Sequence, residues 1–131
     1  MKQFTWLAFL LLAACSGGTE PASYRKAEDA LDAGREYVNA CLQGDFSKAA
    51  FYTIADEPNR KLLQQTENSY REKDKEGRQQ LRNASINIHE VKDLTDSTTE
   101  IHYSNSFDKT AHTLQVVKRD QTWAVDLGKS Q

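Results

Sequence analysis

The spacing of apolar residues changes near Asn83, and that change limits this chain to a narrow set of folds. From Tyr24 to Asn83, apolar positions recur mostly at intervals of three, four or seven; after it they recur at every second residue. The first spacing lines one face of a helix and the second lines one face of a strand. Tyr24, Ala27, Leu31, Tyr37 or Val38, Cys41 and Leu42 form the stripe of a first helix, with charged residues between them. Gly44 is its stop, because glycine enters the left-handed region without a Cβ penalty. Asp45 is placed to cap a second, short helix holding Phe46, Ala49, Ala50, Phe51 and Tyr52. Asp56-Glu57-Pro58 is a further start signal, an acid cap with proline in the first turn. The third helix then carries Leu62, Leu63, Thr66 and Tyr70 inward. Residues 71–80 are densely charged and contain no apolar side chain, so they predict a solvated helix, broken at Gly77, with a last turn around Leu81.

Beyond Asn83, Ile86 and Ile88, then Ile101 and Tyr103, then Leu114 and Val116, then Trp123, Val125 and Leu127 alternate with polar residues. The breaks fall at residues 93–97, 105–108 and 119–121. Four strands with short connections predict an antiparallel meander. One face of it is apolar and needs a cover, which the amphipathic helices supply. The expected fold is therefore α+β, with N-terminal helices packed on a curved four-stranded antiparallel meander over residues 24–131.

The N-terminus belongs to a different object. Residues 1–14 contain 11 apolar side chains, whereas residues 15–131 contain 39 in 117, or 33%, so the whole-chain 38% is an average of two compositions. Lys2 precedes an apolar run from Phe4 to Leu12, and Leu12-Ala13-Ala14-Cys15 closes it. A charged start, a short apolar core and small residues before a cut are the layout of a secretory signal. The core is too short to serve as a stable membrane span. Cysteine directly after Leu-Ala-Ala is similar to the lipobox of bacterial lipoproteins. That resemblance implies cleavage before Cys15, acylation of its sulfur and new amino terminus, and membrane lipid as a partner. Residues 16–23, Ser-Gly-Gly-Thr-Glu-Pro-Ala-Ser, read as a polar tether. With Ser16 instead of an acid after the cysteine, the expected location is the outer membrane, facing the periplasm. Two or more acyl chains anchor durably where one does not. Acylated Cys15 would leave Cys41 without a disulfide partner, and Cys41 reads as a small core residue of the first helix.

The segment Cys41-Leu42-Gln43-Gly44-Asp45-Phe46-Ser47-Lys48-Ala49 and the closing Thr122-Trp123-Ala124-Val125-Asp126-Leu127 add a second resemblance. Together with the lipobox they resemble small bacterial lipoproteins that carry a nuclear-transport-factor-2-like domain, many of unknown function. The resemblance covers about residues 24–128. It implies that Gly-Asp-Phe turns the first helix into the second and that Trp-x-Val-x-Leu is the last strand of a bent sheet wrapped around a cone-shaped interior. That superfamily holds isomerases, dehydratases and cyclases beside non-catalytic binding domains, so function must be argued from the site.

The candidate lining of such an interior is Tyr37, Tyr52, Tyr70, Tyr103 and Trp123. An isomerase- or cyclase-like enzyme would need a carboxylate or histidine base among them. Asp45 and Asp56 read as helix caps, and Asp126 alternates with Trp123, Val125 and Leu127 and so faces outward. No catalytic residue is therefore assigned. A metal site would draw on His89, His102 and His112, but strand parity puts the first two on one face and the third on the other, where three on one face are required. No metal ligand and no cofactor are assigned. The sequence holds no nucleophile elbow, and Gly17-Gly18 opens no helix that would hold a phosphate. After residue 14 the charge balance is 16 basic against 19 acidic, which disfavours a nucleic-acid partner. The expected role is a membrane-anchored, non-catalytic binding or scaffolding domain for a small apolar ligand or an envelope protein; the enzyme is the alternative.

Overall fold

The computed structural model describes residues 24–131; the predicted signal segment, Cys15 and the tether lie outside the described residues. Four helices come first, α1 (Ala30–Gln43), α2 (Phe46–Phe51), α3 (Glu57–Glu72) and α4 (Lys75–Arg82). Four strands follow, β1 (Ile86–Thr95), β2 (Thr98–Asn105), β3 (His112–Arg119) and β4 (Thr122–Asp126), with a closing 3-10 turn at Leu127–Lys129. The strands form one antiparallel sheet in chain order, the expected α+β meander.

Local capping chemistry sets most helix ends. Gly44 ends α1 with φ 73°, donating its N–H back to the Cys41 carbonyl at 3.2 Å. Asp45 caps α2 by accepting the Lys48 N–H at 3.1 Å, and Asp56 caps α3 by accepting the Asn59 N–H at 2.9 Å. Two boundaries differ from the periodicity. First, α1 begins at Ala30 and not at Tyr24, because the Asp29 side chain accepts the Asp32 N–H at 2.7 Å and caps the helix there. Tyr24 still packs inward from the non-helical chain before α1, its ring 5.5 Å from that of Phe51. Second, the charged stretch breaks at Lys73, whose ψ of 148° leaves the helix, and not at Gly77. Asp74 restarts it by accepting the Gly77 N–H at 2.7 Å, which places Gly77 inside the first turn of α4. An Asx cap outweighs a glycine as a boundary signal here.

In the sheet, β1 continues to Thr95, past the expected break, because the Thr99 hydroxyl donates to Asp93 and Thr95 still pairs with Thr98. Bulges lie between Ile88 and Glu90 and between Asp93 and Thr95. The β3–β4 hairpin turns on Asp120 and Gln121, both left-handed at φ 49° and 65°, the hand that suits the twist of paired strands. Leu127 leaves the strand for the closing turn, where Asp126 is the cap, half-buried beside Asn59, and not simply outward-facing.

The outer edge of β4 is covered by the chain between α2 and α3. Val125 donates to the Tyr52 carbonyl at 2.7 Å, and Ile54 donates to the Val125 carbonyl at 3.0 Å. Helix α1 crosses the sheet on small residues. Ala33, Ala40 and Gly34 let it sit against Ile101, Leu114, Val116 and Val125, and a Cβ at Gly34 would lie 2.7 Å from Ile101 Cδ1. A modest apolar content is thus spent on close approach, which suits a small domain. Asn59, 2% exposed, joins α3 to the C-terminal turn by accepting the Leu127 N–H at 2.6 Å.

Candidate functional site

A cleft of about 530 Å³ opens where the second half of α1, the helix α3 and the ends of β2 and β3 diverge. From α1 come Tyr37, Val38, Cys41 and Leu42, successive members of its apolar stripe. From α3 come Leu62, Thr66 and Tyr70, and the sheet contributes Tyr103, His112 and Leu114. Phe46 and Leu81 close one side, and Leu127 and Gln131 close another. Gln131 is held there by a reciprocal pair of backbone hydrogen bonds with Thr113, at 2.7 and 2.8 Å.

The tyrosines are fixed by different means. Tyr70 stands edge-on to Phe46 at 5.7 Å, leans against Gly44, and accepts a hydrogen bond from Arg82 Nη1 at 3.0 Å. Tyr103 stacks on His112 with centroids 5.2 Å apart and planes 25° from parallel. Tyr37 is buried, with its hydroxyl beside Cys41 and Thr66. Burial holds the phenols of both Tyr37 and Tyr103 well above the ordinary tyrosine range, so both are neutral donors at physiological pH. Burial also pushes the Cys41 thiol up to about 12, with the neighbouring Tyr37 hydroxyl acting weakly in the opposite direction.

This gives a direct test. In the folded chain Cys41 is expected to alkylate with iodoacetamide at pH 8 at least about a hundredfold more slowly than an ordinary thiol, because so little thiolate is present. Urea should restore the ordinary rate. A native rate equal to the unfolded one, followed by mass spectrometry, would show that the half-buried Cys41 is not held as the neutral thiol.

The charged groups stand at the rim. His112 Nε2 lies 3.5 Å from Asp108 Oδ2, and the two side chains retain 30% and 39% exposure, so water reaches both. Asp108 is placed by a turn in which Asn105 Oδ1 accepts the N–H groups of Phe107 and Asp108 at 2.9 and 3.1 Å. Lys73 rests its ammonium 5.4 Å from the centre of the Phe107 ring. Chemically, the cleft is an apolar slot with neutral hydroxyls inside and a solvated acid–imidazole pair at its mouth.

No family model matches the sequence, and no curated protein matches it. Among solved structures, it is similar to an NTF-2 like protein of unknown function from Shewanella oneidensis MR-1. The TM-score is 0.55 at 15% identity, over 72% of this chain and 89% of that one. The chain has a nuclear-transport-factor-2-like fold. The order of helices and strands and the bent meander are those the resemblance implies.

Within this NTF2-like domain the five candidate lining residues separate. Tyr37, Tyr70 and Tyr103 come together on the cleft. Tyr52 lies in the core instead, 1% exposed, its hydroxyl donating to the Arg25 carbonyl. Trp123 lies beside the start of α1, under the Lys118 ammonium at 5.8 Å. Thr66, read as inward, is exposed at the cleft mouth. The histidines go to separate partners: His89, in the first bulge, to Ser104 at 2.8 Å; His102 to Glu100 at 2.7 Å; His112 to Asp108. Among the described residues no group of three or more His, Cys, Asp or Glu side chains is placed to hold a metal. Asp108 is the functional candidate that sequence reasoning missed. Its signal was the four-residue spacing to His112, hidden because Asp108 falls in a turn.

Proposed function

We propose that this chain is an envelope lipoprotein, anchored through acylated Cys15 and facing the periplasm from the outer membrane, whose NTF2-like domain binds a small apolar ligand without reacting with it. The observation that carries the binding half is the division of the cleft, apolar with a neutral thiol and neutral tyrosine hydroxyls inside and the acid–imidazole pair at the wet rim. A ligand there gains apolar burial plus one or two orienting hydrogen bonds, the usual economy of a small-molecule site. A general base acting on a buried ligand would need to reach it from inside. The lipobox and the polar tether support the anchoring half. The Asp108–His112 pair favours a second reading, an isomerase- or cyclase-like reaction with His112 as base on a ligand that projects from the mouth.

One preparation tests both halves. The chain is extracted from membranes of a bacterium with two membranes, weighed intact, and titrated with the neutral fluorophore N-phenyl-1-naphthylamine. The expected mass begins at Cys15 and carries acyl chains. The fluorophore is expected to bind, and Thr66→Trp, which fills the mouth from an exposed position, should weaken it at least about tenfold. An unmodified soluble chain would sink the anchor, and a fluorophore indifferent to Thr66→Trp would sink the ligand site.

A further inference from the structure

The two edges of the sheet are treated differently. Beside β4 the chain supplies Tyr52–Ile54 as a partner, whereas β1 is the terminal strand at the other edge and pairs only with β2 among the described residues. An open edge of this kind is a template for another strand. We propose that β1 pairs antiparallel with β1 of a second copy of this chain, about a two-fold axis through Val91.

The register follows from parity and charge. Between its two bulges β1 is regular over Glu90, Val91, Lys92 and Asp93. Val91 and Asp93 stand opposite the buried Ile101 and Thr99, so they lie on the core-side face. Glu90 and Lys92 stand opposite His102 and Glu100 on the other face. A two-fold axis normal to the sheet keeps each face on its own side. Residues opposed across the axis must then share a face, so the axis passes through a residue and never between two. Centring on Glu90 or Asp93 opposes two carboxylates, and centring on Lys92 opposes two ammonium groups. Centring on Val91 opposes valine to valine and sets Glu90 against Lys92 of the other copy, twice. Neither Glu90 nor Lys92 has a salt-bridge partner among the described residues.

Apolar surface supports the same centre. Val91 is 44% exposed and Leu94, in the second bulge, is 42% exposed, beside a groove they share with Leu31 and Trp123. A second copy on this edge covers both. The bulges at either end confine the regular pairing to Glu90, Val91 and Lys92, since Asp93 would face His89 in the first bulge, which gives a closed dimer and not a growing sheet.

Charge reversal in the full chain, measured by sedimentation equilibrium in detergent, tests this. Glu90→Lys and Lys92→Glu are each expected to raise the dimer dissociation constant roughly tenfold, since each turns two attractive cross-strand contacts repulsive. The double reversal should restore it to within about threefold. So should an equimolar mixture of the two single variants, whose heterodimer regains both attractions. Both residues are exposed, and an unchanged circular dichroism spectrum shows that each variant folds. A chain that stays monomeric at about 100 μM overturns the proposal. So does a dimer indifferent to all three variants, or a monomer whose β1 amides are protected by another segment of its own chain.

Discussion

Tyr52→Ala is expected to lower the unfolding free energy by about 3–5 kcal/mol, the range for removing a large aromatic from a core. Tyr52 is 1% exposed, with its ring edge-on to Phe51 at 4.9 Å. Its hydroxyl takes the Arg25 carbonyl and its own carbonyl takes the Val125 N–H, so one residue joins the entering chain, α2 and β4. Alanine keeps the backbone bond but leaves a cavity and an unmatched Arg25 carbonyl. Tyr52→Phe keeps the ring and should cost only about 1 kcal/mol, the net value of one hydrogen bond. Urea unfolding followed by circular dichroism separates the two. A loss for Tyr52→Ala below that of Tyr52→Phe would refute the core role. Because Tyr52 does not line the cleft, Tyr52→Phe should leave N-phenyl-1-naphthylamine binding unchanged.

Gly44→Ala should cost about 2–4 kcal/mol, from two separable sources. At φ 73° any L side chain pays for the left-handed conformation, and the new Cβ would lie 2.6 Å from Tyr70 Cζ. Tyr70 is part-exposed and can yield, but only by moving in the cleft it lines and giving up its bond from Arg82. The substitution is therefore expected to weaken fluorophore binding as well as stability. In a Tyr70→Ala background the clash is absent, and the cost of Gly44→Ala should fall to the conformational part, about 1–2 kcal/mol. An equal cost in both backgrounds would show that Tyr70 is not what the glycine accommodates.

These two residues also show what was legible in the sequence. Gly44, Asp45 and Asp56 act on backbone groups within three or four residues of themselves, so their roles can be read in one dimension. The alternation that defines β2 and β3 is equally local, and it puts Tyr103 and His112 on a common face. Tyr52 was readable as apolar and inward but not as core in preference to cleft, because both environments impose the same pattern. What separates them is the pairing of Tyr52–Ile54 with Val125, some seventy residues away. The start of α1 is not legible in the spacing because Tyr24 and Ala27 keep helical intervals while lying outside the helix. The cleft itself depends on how far the helices stand from the sheet. That distance is set by Gly34 and the alanines of α1, residues that carry no chemistry of their own.

The route of α1 has a consequence for how the chain comes to be folded. Its buried face rests on Leu114, Val116 and Val125, in the last two strands, so the earliest helix is covered by the latest segments. The contacts that α1 makes with these strands are distant in sequence, and chain closure over long separations is slow and entropically costly. Until β3 and β4 have emerged, the apolar stripe of α1 lacks the surface it will finally rest on. The core of this domain is thus complete only once the last strands of the chain are in place.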